Sequence, residues 1–245
     1  MKPAHVLVTG GSRGIGKAIV QKLLDEGYVV TATTKSTPFP DAFLNHKNFR
    51  ALNADFSSES LDSELQALLA SEELPDVIVN NAAIFEAVRF DLPDDEWEKG
   101  WNRTLNVNLM SPLKLCKLGI NGWKNQKRSG IIINISSRAA YRGETAEFAN
   151  YAASKAAMVA LTKTIARGYG KDHIYAYTVA PGFVHTDMAE ESIEVYGKDY
   201  LTKDLALNEI VPPAEVAEIV SLLASGKLKH MTGQTLHINS GSYLI

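Results

Sequence analysis

Tyr151 and Lys155 stand one helical turn apart in Tyr151-Ala152-Ala153-Ser154-Lys155, so on a helix the phenol and the ammonium share a face. A free phenol titrates near about 10 and needs neighbouring positive charge to move protons at neutral pH. Lys155, together with an oxidised nicotinamide, would supply that charge. The same spacing also describes an ordinary surface pair, so the motif gains meaning only from its company. Far upstream, Thr9-Gly10-Gly11-Ser12-Arg13-Gly14-Ile15-Gly16 follows a short apolar run and opens a helical pattern. Glycines allow a tight turn and close backbone approach, and the free N–H groups of a helix start favour negative charge, so this segment suits a pyrophosphate. Its glycine spacing differs from the general G-x-G-x-x-G fingerprint.

Sites for NAD place an acid at the end of the second strand, where it accepts from the ribose 2′-hydroxyl and repels a 2′-phosphate. Here the second strand ends Thr31-Ala32-Thr33-Thr34-Lys35-Ser36, and the next acid is Asp41. Arg13 and Lys35 bring positive charge and the adjacent hydroxyls bring donors, which favours NADP(H). Solvated surface charge is the other reading of Arg13 and Lys35.

The elements that must position these groups alternate along the chain. Short apolar, β-rich runs occur at Val6 to Thr9, Tyr28 to Thr33, Val77 to Asn80, Ile131 to Ser136 and Ile174 to Val179. Between and after them, Ile15 to Asp25, Leu61 to Leu69, Thr104 to Leu118, Tyr151 to Arg167 and Ala214 to Leu223 carry apolar residues at three- and four-residue spacing. That rhythm predicts stacked βαβ units: an α/β, doubly wound, Rossmann-type parallel sheet with helices on both faces. With no internal repeat and no long linker, residues 1–245 read as a single dinucleotide-binding domain. The polar stretch 189–208, after a Pro-Gly pair, is expected to be a substrate lid.

Composition is that of a soluble enzyme: 45% hydrophobic, 22% charged, formal net charge -3. Such a balance gives no general attraction to nucleic acid or anionic membrane. No apolar run reaches the roughly 20 residues of a membrane span, and no signal-peptide pattern opens the chain. The lone Cys116 cannot form an internal disulfide or a thiolate metal site. A cytoplasmic, metal-free protein is expected.

Together, Thr9 to Gly16, Asn80-Asn81-Ala82-Ala83, Asn108, Ile135-Ser136-Ser137, Tyr151 to Lys155 and Pro181-Gly182 with Thr186 resemble the motifs of the short-chain dehydrogenase/reductase family, over Val6 to about Gly241. The resemblance implies a catalytic set of Asn108, Ser137, Tyr151 and Lys155. Tyr151 would exchange the proton and Ser137 would hold the substrate oxygen. Lys155 would bind the nicotinamide ribose and lower the tyrosine pKa, and Asn108 would support the water that replenishes the proton. Asn108 is preferred to Asn106, and Ser137 to Ser136, from the family's usual wording; Ser137 precedes Tyr151 by one residue more than in many relatives. The implied cofactor contacts are Gly10, Ser12, Arg13, Gly14, Ile15 and Gly16 on the turn, with Thr33 and Lys35 at the second strand. Asp55 would lie beside the adenine, Asn81 and Ala82 next to the cofactor, and Pro181, Gly182, Val184 and Thr186 near the nicotinamide. Strand-end capping for Asn80 and Asn81, and a turn role for Asp55, stay open. Ala83 replaces a usual glycine and adds a methyl group where backbone and cofactor come close.

The segments 179–188, 222–225 and 232–239 are worded most like 3-oxoacyl-[acyl-carrier-protein] reductases. That implies NADPH-dependent reduction of a 3-oxoacyl thioester in fatty-acid synthesis. An acidic carrier protein would need basic residues near the pocket, and Lys124, Lys127, Arg128, Arg167 and Lys171 are available, although scattered surface charge is the commoner reading. A reductase of another ketone or sugar, or a non-catalytic NADP-binding regulator, are the alternatives. The family implies a homotetramer, with the 104–118 and 151–167 helices and the apolar C-terminus at interfaces.

Overall fold

The computed structural model describes residues 4–58, 60–186, 202 and 204–244. Its strands are β1 (His5–Val8), β2 (Val29–Thr34), β3 (Phe49–Asn53), β4 (Val77–Asn80), β5 (Gly130–Ile135), β6 (Ile174–Pro181) and β7 (Thr235–Ile238). They form one sheet in the order β3-β2-β1-β4-β5-β6-β7, and every pairing is parallel. The helices are α1 (Gly14–Asp25), α2 (Asp41–Leu44), α3 (Ser63–Ala70), α4 (Asp94–Leu105), α5 (Ser111–Asn125), α6 (Ala139–Arg142), α7 (Ala149–Tyr169) and α8 (Pro213–Ala224).

Alternation within the strands builds two cores. Val6, Val8, Ile131 and Ile133 point to one face and pack with Ile19, Leu23, Val216 and Val220 of α1 and α8. Leu7, Ile78 and Ile132 point to the other and meet Leu65, Leu115, Trp123 and Ile165 of α3, α5 and α7. Both faces are covered, which is why these strands read as continuous apolar runs. The chain reverses its direction of winding between β1 and β4, and the crevice at their carboxyl ends is where an open α/β sheet takes its ligand.

The sequence reading misses β3 and β7 and misplaces one helix. Both strands lie at the sheet edges and are half exposed, so neither carries a long apolar run. The expected 104–118 helix is in fact the end of α4, a π-helical turn at Asn106–Met110 and the first half of α5. Of the expected lid, 189–201 and 203 lie outside the described residues; within its last part, the Ala206 and Leu207 N–H groups donate to the Ser240 carbonyl.

Candidate active site

The glycine turn is held open by polar groups from β2 and from the segment after β4. Gly10 (φ +64°) and Gly14 (φ +53°) adopt backbone conformations that favour glycine. The Gly10 N–H donates to Thr33 Oγ1 (3.1 Å), and Ser12 Oγ lies 3.1 Å from Thr34 Oγ1. Asn81 Nδ2 donates to the Thr9 and Gly10 carbonyls (2.9 and 3.0 Å), while the Asn81 and Ala82 N–H groups donate to Thr9 Oγ1. Asn81 and Thr33 therefore brace the turn. Asn80 faces inward instead, donating to Asn134 Oδ1 (2.8 Å) in a buried polar chain that continues through Thr162 to Thr178.

A cleft of about 380 Å³ runs from this turn to the far end of the site. Its first wall is the turn itself, Gly10 and Ser12 through Gly16; Thr33, Lys35 and Asp55 form one end; Asn81 and Ala82 line the middle. Tyr151, Lys155, Pro181 and Thr186 close the other end. Gly182 and Val184 do not line it. Gly182 packs against Asn239, and Val184 is buried and bridges to Val211.

At the closed end, the Ser137 hydroxyl hydrogen-bonds the Tyr151 phenol and accepts from the Ala139 N–H (3.1 Å). Ser136 is turned away, donating to the Lys155 carbonyl (2.9 Å). Lys155 is buried; its Nζ donates to the Ile135 carbonyl (2.8 Å) and lies 5.6 Å from the Tyr151 ring centroid. The π-helical turn swings Asn108 inward, so that its Oδ1 accepts from the Ile84 N–H (2.9 Å) and its Nδ2 donates to the Ile84 carbonyl and Ser154 Oγ (3.0 and 3.1 Å). Ser154 donates in turn to the Tyr151 carbonyl (2.7 Å). Asn106 points elsewhere, to the Phe56 and Ser58 carbonyls.

Burial pushes the Tyr151 phenol up to about 12, with the Ser137 hydrogen bond pulling it partly back and Glu144 adding to the rise. Lys155 turns its ammonium to the Ile135 carbonyl, and burial brings its own pKa down to about 8. By the protein's own groups Tyr151 keeps its proton at neutral pH, as a proton donor must.

At the other end Lys35 pairs with Asp55 (2.9 Å), whose carboxyl is held at about 2, first by the Ser57 hydroxyl and then by Lys35. Arg13 is exposed and has no carboxylate at ion-pair distance among the described residues. The cleft fits a dinucleotide. A Cβ on Gly16 would sit 2.0 Å from the Gly10 carbonyl oxygen, so backbone lies where side chains normally stand, and the cleft continues unbroken to Tyr151.

The short chain dehydrogenase family matches residues 4–196. The 3-oxoacyl-[acyl-carrier-protein] reductase FabG of Vibrio cholerae is 36% identical over 243 residues, covering 98% of this chain and 97% of that protein; the Escherichia coli K12 protein of the same name is 33% identical over the same shares. The chain belongs to the short-chain dehydrogenase family. Among solved structures, 4-hydroxyisoleucine dehydrogenase complexed with NADH superposes with a TM-score of 0.89 at 26% identity, each chain 98% covered. A putative 2-deoxy-D-gluconate 3-dehydrogenase from Agrobacterium tumefaciens with bound NADP gives 0.85 at 22% identity, covering 99% of this chain and 97% of that one, and shows the fold alone. This short-chain dehydrogenase is an NAD(P)-dependent oxidoreductase.

The expected carrier-protein residues do not gather at the cleft. Lys124, Lys127, Arg128 and Lys171 line a separate hollow with Ser129 and His173, at the start of β5 and β6 and thus at the opposite end of the strands from Ser137. Lys124 pairs there with Asp172, and Arg128 with Asp76. Sequence reasoning also missed the aromatic wall of the site. The Tyr151 ring meets Phe85 edge-on (4.8 Å between centroids), and Phe85 stacks on Phe148 at 3.9 Å. Nothing in the spacing of these phenylalanines marks them.

The depressed Lys155 pKa has a stability signature. Between about 8 and 10.5 the unfolded chain binds a proton that the folded chain has lost, so wild-type stability rises with pH across that window. Below it, the buried ammonium opposes folding by on the order of 3 kcal/mol. Lys155→Met is expected to be more stable than wild type at pH 7 and to lack that part of the rise; denaturant melts from pH 7 to pH 10 check it, and parallel curves would refute it.

Proposed function

We propose that this chain reduces a ketone to a secondary alcohol at the expense of NADPH. The observation that carries the reading is a phenol held protonated, hydrogen-bonded to Ser137, at the end of a glycine-walled cleft. NADPH supplies the hydride when bound. Ser137 and Tyr151 hold the carbonyl oxygen, which takes the Tyr151 proton as the carbonyl carbon accepts the hydride. Positioning within the dry, aromatic-walled end supplies much of the rate. Lys155 lies below the phenol and fixes the ribose end. Asn108, tied to Ile84 and Ser154, holds the backbone under Tyr151 and the path by which its proton is restored.

For the cofactor, no acid stands at the end of β2, and Arg13 lines the cleft with its charge unspent. Lys35 serves a 2′-phosphate only by sharing itself with Asp55. Arg13→Glu is therefore expected to weaken NADPH about 10- to 100-fold and NADH far less, measured by fluorescence titration; equal losses would sink the NADP reading.

Two substrate classes are supported by separate observations. FabG relatives spanning the whole chain favour a 3-oxoacyl thioester on acyl carrier protein. A buried arginine beside Ser137 favours a small charged ketone. NADPH absorbance followed with a 3-oxoacyl thioester and then with a panel of ketones and keto acids separates them, and tight NADPH binding without any turnover would overturn the reductase reading. Met110 and Leu113, exposed across the π-turn and α5, support a homotetramer built partly through that face. A cytoplasmic location accords with the lone, buried Cys116.

A further inference from the structure

Arg138, immediately after Ser137, is only 4% exposed. Arg50, Arg89, Arg103, Arg128 and Arg142 each face a carboxylate at ion-pair distance, and Arg13 and Arg167 are exposed. The arginine most in need of a partner is the one without. Among the described residues its guanidinium makes neither a hydrogen bond nor an ion pair, and it lies over the Phe183 ring, 4.3 Å from Cζ to centroid. A ring face offsets part of the desolvation of a buried cation but accepts none of its in-plane N–H donors. Buried charges are ordinarily paired, so an anion is missing from this arrangement.

The backbone of Arg138 is also tied to the segments that carry the chemistry. Its own backbone N–H donates to the Pro181 carbonyl (2.9 Å), and Phe183 sits in the turn between Pro181 and Thr186, both of which line the cleft. Ser137, its neighbour in the chain, touches the Tyr151 phenol. Arg142 adds positive charge nearby, while Glu144, 3.4 Å from Arg142, and the exposed Asp204 act on Arg138 only from a distance.

We propose that the Arg138 guanidinium is a carboxylate-binding subsite for the substrate, so that this chain acts on a keto acid and its hydroxy acid in preference to an uncharged ketone. The proposal rests on the reading of Tyr151 as the proton donor to a ketone. A carbonyl seated on Ser137 and Tyr151 brings a carboxylate a carbon or two away against the paired N–H edge of the guanidinium, a planar fork that matches two carboxylate oxygens. A neutral thioester in the same place leaves the charge unmatched.

The test compares 2- and 3-oxo acids with their methyl esters and with a short 3-oxoacyl thioester, in wild type and in R138M. Wild type is expected to favour acid over ester by about 10- to 100-fold in kcat/KM, chiefly through KM, and R138M to bring that ratio close to one. Esters or thioesters used as well as acids by wild type, or an R138M loss of the same factor for acid and ester, would overturn the subsite. If R138M does not fold, R138K carries the comparison: its ratio is expected to fall about tenfold with the loss of paired donors, and an unchanged ratio overturns the proposal. Should no ketone be turned over, the reductase reading fails by itself. Calorimetry of malonate or glutarate on the NADPH-loaded protein then decides: binding weakened about 10- to 100-fold by R138M upholds the subsite, and absent or equal binding overturns it.

Discussion

Replacing Tyr151 by phenylalanine is expected to slow ketone reduction by about 10²- to 10⁴-fold, the range a positioned proton donor contributes, while NADPH binding stays nearly intact. The ring's packing survives the change, since its contact with Phe85 is an edge-to-face one that phenylalanine reproduces. What goes is a hydroxyl that burial keeps protonated and Ser137 orients. Once the hydroxyl is gone, the developing alkoxide has no donor at the point where charge appears, and the low-dielectric surroundings that raised the phenol pKa make that charge costly. Stopped-flow NADPH oxidation beside a fluorescence titration of NADPH separates the two effects. Turnover within a few-fold of wild type would remove Tyr151 from the chemistry, and a matching loss of NADPH affinity would make its role one of binding.

A second large effect is expected at Gly16. A Cβ there would stand 2.0 Å from the Gly10 carbonyl oxygen and 2.6 Å from Asn81 Nδ2, and both belong to the braced turn rather than to a flexible side chain. Gly16→Val must push the turn off Asn81 and Thr33, breaking hydrogen bonds to β2 and to the segment after β4 at once. Overpacking costs about 1–3 kcal/mol of stability. The loss of NADPH affinity should be larger than the loss of stability, because the displaced turn is the wall of the cleft proposed to take the pyrophosphate. A folded Gly16→Val protein with wild-type NADPH affinity would show that the dinucleotide lies elsewhere.

Those groups were visible in the chain because each depends on local pattern: glycines between a strand and a helix, and a phenol and ammonium one turn apart. Buried central strands such as β4 and β5 were legible for the same reason, since both faces are covered and nearly every residue is apolar. The edge strands β3 and β7 were not, because half of each faces away from the core. α4 escaped notice through its polar start, Asp94-Asp95-Glu96, and the π-turn after it shifts the phase of the apolar repeat. The pairing of Lys35 with Asp55, the aromatic wall of Phe85 and Phe148, and the burial of Arg138 are products of tertiary packing between distant segments. A charged residue in sequence reads as solvated, and only the assembled sheet shows one that is not. The turn of the Lys155 ammonium to the Ile135 carbonyl is likewise a contact between distant segments that the Tyr-x-x-x-Lys spacing does not show.

The π-helical turn at Asn106–Met110 makes α4 and α5 a single rod whose two halves are out of phase. Thr104 on the first half receives a hydrogen bond from Asn150, and Leu115, Cys116 and Ile120 on the second lie against the sheet. Removing one residue between them would regularise the helix and rotate one half by about 100° against the other, so either α7 or the sheet would lose its matching face. Chimaeras joined with a family member inside this span must therefore preserve residue count before residue identity. Single exchanges at Leu109 or Met110 should pass where any shortening fails.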